Sequence, residues 1–294
     1  MCLVVLKNDV AKVVVDAKMG ASILKYSAML NGKYRDIFRN ANEADSIHDT
    51  ASFPLVPFSN RIRNGQFNWQ NKQIYLPLNH LPQKHVIHGH GWQTHWQVIS
   101  QNDSEVTLEY KYTADLWPFS YLVRKTLKIT GTKLTMSMVL TNLSNENMPA
   151  GLGFHPYFTR TSKCSLQTNI SQMWAIDDEC MPTEITSAPT DFKYKKGLKI
   201  NDTVLDNTLI NFPHKAQIHW PEWQAKANIT SSKNCDFLVV YSPENADFVC
   251  IEPVTHMTDA INMAARNYKN TGIKSLPPKG KMCIHMQISP KSLI

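Results

Sequence analysis

Apolar side chains recur at every second position through much of the chain. Between Glu105 and Tyr112 the residues Val106, Leu108, Tyr110 and Tyr112 alternate with polar neighbours, a period that turns one strand face to a core and the other to water. The same period runs through Tyr121, Val123, Leu127 and Ile129 and through Leu134, Met136, Met138 and Leu140, and Thr130-Gly131-Thr132 between these runs predicts a hairpin. Phe67 and Trp69, then Ile74 and Leu76, flank Gln70-Asn71 and predict another. Short runs at 237–241, 248–252 and 283–289, rich in β-branched and aromatic residues, add further strands.

Helical periodicity is scarce. One or two turns fit between Arg35 and Asp49, and Thr258-Asp259 can cap a short helix reaching Arg266. Neither supplies the strand and helix alternation of a parallel α/β fold. With no internal repeat and no linker composition, 1–294 is expected to form one all-β domain of mostly antiparallel strands. Asn142 to Asn147 is expected as a loop and Thr161 to Lys199 as the least regular region.

Composition sharpens this picture. The 294 residues are 43% hydrophobic and 19% charged, enough to bury a sizeable core. The net charge of +7 raises a nucleic-acid reading, but the basic residues are mostly dispersed lysines. Their one cluster, Lys193, Lys195, Lys196 and Lys199, is expected to be a solvated face. Cys2, Cys164, Cys180, Cys235, Cys250 and Cys283 lack close pairing and are expected as thiols. The amino terminus carries no signal-peptide pattern and no run is long enough to span a membrane, so a cytoplasmic location is expected.

Candidate chemistry gathers in four segments. Five of the eleven histidines, His80, His85, His88, His90 and His95, fall within sixteen residues. His85, His88 and His90 raise the question of a metal site; on a strand, His88 and His90 share a face and His85 takes the other, so a third ligand must come from afar. His155, in GLGFHPYF, stands among aromatic residues, with Pro156 expected to mark the strand end. It suits a proton donor or a histidine bonded within the core. Glu252 closes an apolar run, where a carboxylate is costly unless paired or used; Arg61 and Arg63 are candidate ion partners, and alternation sends both the same way. A guanidinium there also suits sugar hydroxyls. Trp92, Trp96, Trp117, Tyr157 and Phe158 lie near these motifs as a possible sugar platform or as ordinary core. Phosphate-loop, dinucleotide, GxSxG, HExxH and EF-hand motifs are absent.

In this order, NRIRNGQF (60–67), HVIHGHGW (85–92), GLGFHPYF (151–158) and IEPVTHMTDAIN (251–262) resemble the motifs of the aldose 1-epimerase (galactose mutarotase) family, with DLWPF (115–119) and VLDNTLINF (204–212) extending the match over nearly the whole chain. The wording of HGHGW and FHPYF is closer to a less-studied bacterial branch. The resemblance implies a β-supersandwich, a cofactor-free and metal-free site, and interconversion of the α and β anomers of a free aldohexose such as galactose or glucose. Carried over by position, His155 is the general acid, Glu252 the general base and His88 a further catalytic histidine. Arg61 and Asp206 are substrate-binding, though Thr208 to Phe212 departs from the usual aromatic continuation after Asp206. Asn60, Trp92 and Tyr157 complete the expected sugar contacts. The expected partner is a small-molecule sugar, with neither nucleic acid nor membrane, and the expected assembly a monomer or homodimer. The alternatives are a hexose-6-phosphate mutarotase, a non-catalytic sugar-binding module and a cupin-like metal isomerase.

Overall fold

The computed structural model describes residues 3–41, 44–193 and 196–293. Cys2 and Lys195 lie outside the described residues. Two large antiparallel sheets face each other. The first runs, in spatial order, Leu3–Asn8, Ala11–Asp16, Ser22–Leu30, Ser52–Leu55, Gly153–Thr159, Phe248–Val254, Phe237–Ser242, Leu205–Ile210, Gln172–Ile176 and Pro182–Ser187, with Lys33–Asp36 pairing to Ser22–Leu30. The second runs Gln97–Gln101, Glu105–Tyr112, Tyr121–Thr130, Lys133–Asn142, Lys281–Ser292, Ala225–Ser231, Lys215–Trp220, Ser165–Thr168 and Leu198–Lys199.

Period-two patterning explains the layers. In Tyr121–Thr130 and Lys133–Asn142 every second side chain is buried, and the inward rows join Val13, Tyr26, Val249 and Ile251 of the first sheet in one core between the sheets. The predicted hairpins form where expected, and Gln70 and Asn71 both take positive φ at the two-residue turn between Gln66–Trp69 and Lys72–Tyr75. Lys125 occupies an inward position of its strand and is fully buried, with Nζ donating to the carbonyl oxygen of Ala21 at 2.8 Å across the sandwich.

Central strands of the first sheet are buried on both faces. In Phe248–Val254, Val249 and Ile251 enter the inter-sheet core, while Cys250 and Val254 face outward into a second cluster with Phe53, Trp92 and Tyr157. That outer face carries the site.

Of three local expectations, two gain detail and the third, at Pro156, is corrected. The 161–199 region holds four strands, Ser165–Thr168, Gln172–Ile176, Pro182–Ser187 and Leu198–Lys199; they are short and fill the last two places at one end of each sheet, the first buried at three of four positions and Pro182–Ser187 mostly exposed, so neither alternates. Between Arg35 and Asp49 the helical content among the described residues is one 3₁₀ turn, Ile47–Asp49, and the segment begins as a strand ending at Asp36. Pro156 lies inside strand Gly153–Thr159: the ladder to Phe248–Val254 pairs at Gly153↔Val254 and resumes at Tyr157↔Cys250, so the missing donor falls in the gap. The short helix near 260 is present as Ala260–Ala265, with Asp259 at its N-cap.

Candidate active site

Strand register brings the pair together. His155 and Glu252 stand opposite each other in the ladder gap, with His155 Nε2 3.3 Å from Glu252 Oε1 and both side chains almost wholly buried. The imidazole is held between rings, stacked on Tyr157 at 4.7 Å and tilted against Phe53 at 4.5 Å. Both groups line a cavity of about 370 Å³ on the outer face, shared with His88, Arg61, Asp206, Asn60 and Trp92. The eight residues proposed from the sequence thus converge on one pocket.

A loop built from FSNRIRN forms one wall, and three imidazoles satisfy its backbone. The N–H of Ser59 donates to His256 Nε2 at 3.0 Å, that of Asn60 to His88 Nδ1 at 3.1 Å, and that of Asn64 to His85 Nδ1 at 3.1 Å. Asn60 takes the left-handed conformation, φ 56°, which asparagine tolerates better than most residues, and its Oδ1 accepts from Arg61 Nη1 at 3.2 Å. Arg61 reaches Asp206 Oδ2 at 3.5 Å, so the guanidinium and the carboxylate hold each other at the cavity wall. Gly151 sits directly behind: a Cβ there would lie 2.0 Å from the His256 ring, which only glycine avoids.

Burial sets the charge states. It pushes His155 down to about 3, with Arg39 adding to the effect, and drives His88 well below the ordinary histidine range. It raises Glu252 well above the usual carboxylate range, Asp206 adding to the rise and Arg61 opposing it. Burial therefore favours the neutral pair, with the proton on Glu252, over carboxylate and imidazolium. The proton count is unchanged: one transfer across the 3.3 Å gap converts the neutral pair into carboxylate and imidazolium. His88 is neutral, and since Nδ1 accepts from Asn60, its proton is on Nε2.

Other expectations separate here. HVIHGHGW is a strand only over Val86–Ile87; His88 and Gly89 both take positive φ and turn the chain, so the three histidines diverge. His85 pairs with Glu179 at 3.2 Å, and His90 stacks on Tyr112 at 4.5 Å beside Tyr121. Arg61 and Arg63 part company because the chain enters a 3₁₀ turn at Arg63, which contacts Asp177 and Asp259 instead. The side chain that meets the Glu252 carboxyl is His155, not an arginine. Trp96, Trp117 and Phe158 belong to the inter-sheet core, leaving Trp92 and Tyr157 as the platform aromatics. Among the described residues one group has metal-ligand spacing, His155, Cys250 and Glu252, whose donor atoms lie within 4.8 Å of one another.

Arg39, His48 and Phe53 are among the pocket residues that escaped the sequence reading. Arg39 lies over the Tyr157 ring at 3.8 Å and donates to the carbonyl oxygens of His48 and Thr50. Its sequence neighbourhood carries no motif; the Phe38↔Phe158 bridge and the Arg39 N–H, which donates to the Tyr157 carbonyl oxygen at 2.8 Å, bring that stretch to the pocket.

The aldose 1-epimerase family model matches residues 3–289. The chain belongs to the aldose 1-epimerase family. The protein YphB of Escherichia coli K12, itself uncharacterised, is 27% identical over 242 residues, covering 79% of this chain and 83% of its own. Among solved structures, a galactose mutarotase-like protein of Clostridium acetobutylicum superposes with a TM-score of 0.85 at 17% identity, covering 99% of this chain and 95% of its own. The GalM/aldose epimerase homologue of C. elegans gives 0.81 at 18%, covering 99% of both chains. These two share the fold of this family member, an antiparallel galactose mutarotase-like β-sandwich. No helix among the described residues is long and apolar enough to cross a membrane.

Proposed function

We propose that this aldose 1-epimerase family member is a mutarotase of a free aldohexose such as galactose or glucose, working by acid–base ring opening without a metal or organic cofactor. The observation that carries the reading is the buried His155–Glu252 pair at 3.3 Å, facing a sugar-sized cavity. Anomerisation needs a proton removed from the C1 hydroxyl and one delivered to the ring oxygen. Glu252, as carboxylate, accepts the first. His155, as imidazolium, delivers the second, and His88 Nε2–H donates a hydrogen bond that holds the ring oxygen. The ring opens to the aldehyde, C1–C2 rotates, and the reversed transfers close it on the other face. The carboxylate–imidazolium form arises inside the pocket by one proton transfer, its charges stabilised when sugar hydroxyls occupy the cavity. Arg61, Asp206 and Asn60 bind the remaining hydroxyls, and Trp92 and Tyr157 present ring faces to the sugar. The partner is a small sugar, handled by a monomer or homodimer of single-domain chains; the expected setting is cytoplasmic galactose or related carbohydrate metabolism.

A phosphorylated hexose is the second reading, favoured by Arg39: it lines the pocket, and its hydrogen bonds go to carbonyl oxygens, with no carboxylate paired to it among the described residues. Freshly dissolved aldoses, free and phosphorylated, followed by polarimetry or NMR anomer exchange with and without protein, separate the two. Binding without acceleration of any of them would leave a sugar-binding module instead. Undiminished activity in chelator is expected, and loss there would turn the reading towards metal chemistry.

A further inference from the structure

Cys250 has no part in the proposed proton transfers, yet strand alternation aims it at them. It lies two residues before Glu252 on the same face of Phe248–Val254 and opposite Tyr157, the second neighbour of His155. One donor atom each from His155, Cys250 and Glu252 lie within 4.8 Å of one another, and all three residues are buried. Imidazole, thiolate and carboxylate are a zinc donor set. Spacing agrees with that chemistry: a tetrahedral ion with nitrogen and oxygen bonds of about 2.0–2.1 Å separates those two ligands by about 3.3 Å, and His155 Nε2 stands 3.3 Å from Glu252 Oε1.

Charge agrees as well. A divalent ion held by one thiolate, one carboxylate and a neutral imidazole is a net-neutral cluster, which lowers the cost of burying it. Entry is from the cavity, since His155 and Glu252 line it while Cys250 stands behind them.

We infer that His155, Cys250 and Glu252 form a zinc-class cation site that inhibits the enzyme by occupying its acid–base pair. On binding, the Cys250 thiol and the protonated Glu252 carboxyl each release a proton to solvent, and the sulfur and the carboxylate coordinate the ion beside the neutral His155 imidazole; no electron is transferred. His155 and Glu252 donate to the ion the lone pairs that proton transfer requires. The fourth position faces the cavity, open to water or a sugar hydroxyl. Hard cations such as Mg²⁺, which favour all-oxygen octahedra, are excluded by the sulfur. The inhibition rests on the proposed reaction, whereas the site itself does not.

Two measurements test it on the whole chain. In NMR anomer exchange, Zn²⁺ inhibits the wild type competitively with sugar, reversibly by chelator, while Mg²⁺ has no effect. Cys250→Ala raises the zinc concentration for half-inhibition by about tenfold or more, each variant being compared with its own zinc-free rate. In the absence of sugar, Co²⁺ gives the wild type and a Cys283→Ser control a near-ultraviolet thiolate-to-cobalt band that Cys250→Ala lacks. Cys250→Ser serves as a second, near-isosteric variant, and circular dichroism checks that both fold. Equal zinc sensitivity in folded Cys250 variants, or no thiolate band in the wild type at saturating cobalt, overturns the site. A band in a protein that accelerates no anomer exchange sinks the proposed reaction and keeps the site; turnover without the band does the reverse.

Discussion

The backbone N–H of Asn60 donates to Nδ1 of His88 at 3.1 Å, and the N–H of His88 returns a bond to the carbonyl oxygen of Asn60 at 3.0 Å. Both residues have positive φ, so two tight turns lock face to face and leave His88 Nε2–H as the free donor. The backbone half of this clamp needs no side chain at position 60. Asn60→Gly is therefore expected to keep the fold and most of kcat while raising KM, because it removes only the Oδ1 contact to Arg61. Asn60→Ala strains the left-handed backbone by about 1–2 kcal/mol and lowers the melting temperature. His88→Phe loses the donor and drops kcat about 10²-fold or more. Steady-state kinetics with thermal melts check all three, and a kcat loss in Asn60→Gly as deep as in His88→Phe would mean that the asparagine side chain itself acts on the reacting atoms.

In the proposed reaction His155 and Glu252 act as one proton-sharing unit. Glu252→Gln and His155→Asn are each expected to lower turnover about 10²–10⁴-fold with the fold retained, and the double variant to be little worse than either single one. Wild-type rates in either single variant end the assignment. Burial holds His155 near 3, so kcat/KM should show no acid limb near pH 6.5 while the protein remains folded. A limb there, in protein still folded by circular dichroism, would show His155 titrating as an ordinary histidine.

Much of this pocket was legible because each side chain proposed as catalytic lies in a local motif whose polarity breaks the surrounding apolar pattern, as Glu252 does after Phe248 to Ile251. What escaped is non-local. Arg39 and His48 reach the pocket only through sheet order, which no periodicity encodes. The metal question around HVIHGHGW went unanswered for a related reason: whether His88 and His90 share a face depends on φ at His88, and a lone histidine gives no sign that it will turn left-handed. Strand runs such as Glu105–Tyr112 were readable to the residue, since one wet face keeps the alternation clean. The short strands between Ser165 and Lys199 were not, since Ser165–Thr168 is buried at nearly every position and Pro182–Ser187 is mostly exposed, so neither alternates.

Acid should loosen the pocket before it titrates the catalytic pair. His256 accepts from the N–H of Ser59 through Nε2 and is bonded to the Met257 carbonyl through Nδ1, so a second ring proton would confront an N–H. Burial lowers His256 to about 4 and His90 to about 4. Between 6.5 and 4 the unfolded chain binds protons that the folded chain refuses, so stability is lost as pH falls through that window, by a few kcal/mol if both contribute fully. Denaturant midpoints from pH 7 to 4.5 measure the slope. His90→Phe, which keeps the stack on Tyr112, should flatten it; an unchanged slope would clear His90 of the effect.

Lys125 gives a slope of the same sign on the alkaline side, because burial again makes the folded chain the weaker proton binder. Its amine is fully buried with a hydrogen bond to the Ala21 carbonyl oxygen, and burial lowers it from 10.5 to about 7. Between 7 and 10.5 the unfolded chain binds the proton that the folded chain gives up. Stability should therefore rise with pH across that window, against any fall from other groups, and Lys125→Met should remove the rise. Methionine fills a similar volume without a charge to desolvate, so at pH 7 the substitution is expected to be neutral or stabilising, and its advantage should shrink as the wild-type lysine becomes neutral at higher pH. Paired denaturant titrations of the two proteins from pH 7 to 10 decide it. A difference that stays constant over that range would mean that Lys125 has the same proton affinity in both states, and that water reaches it in the fold.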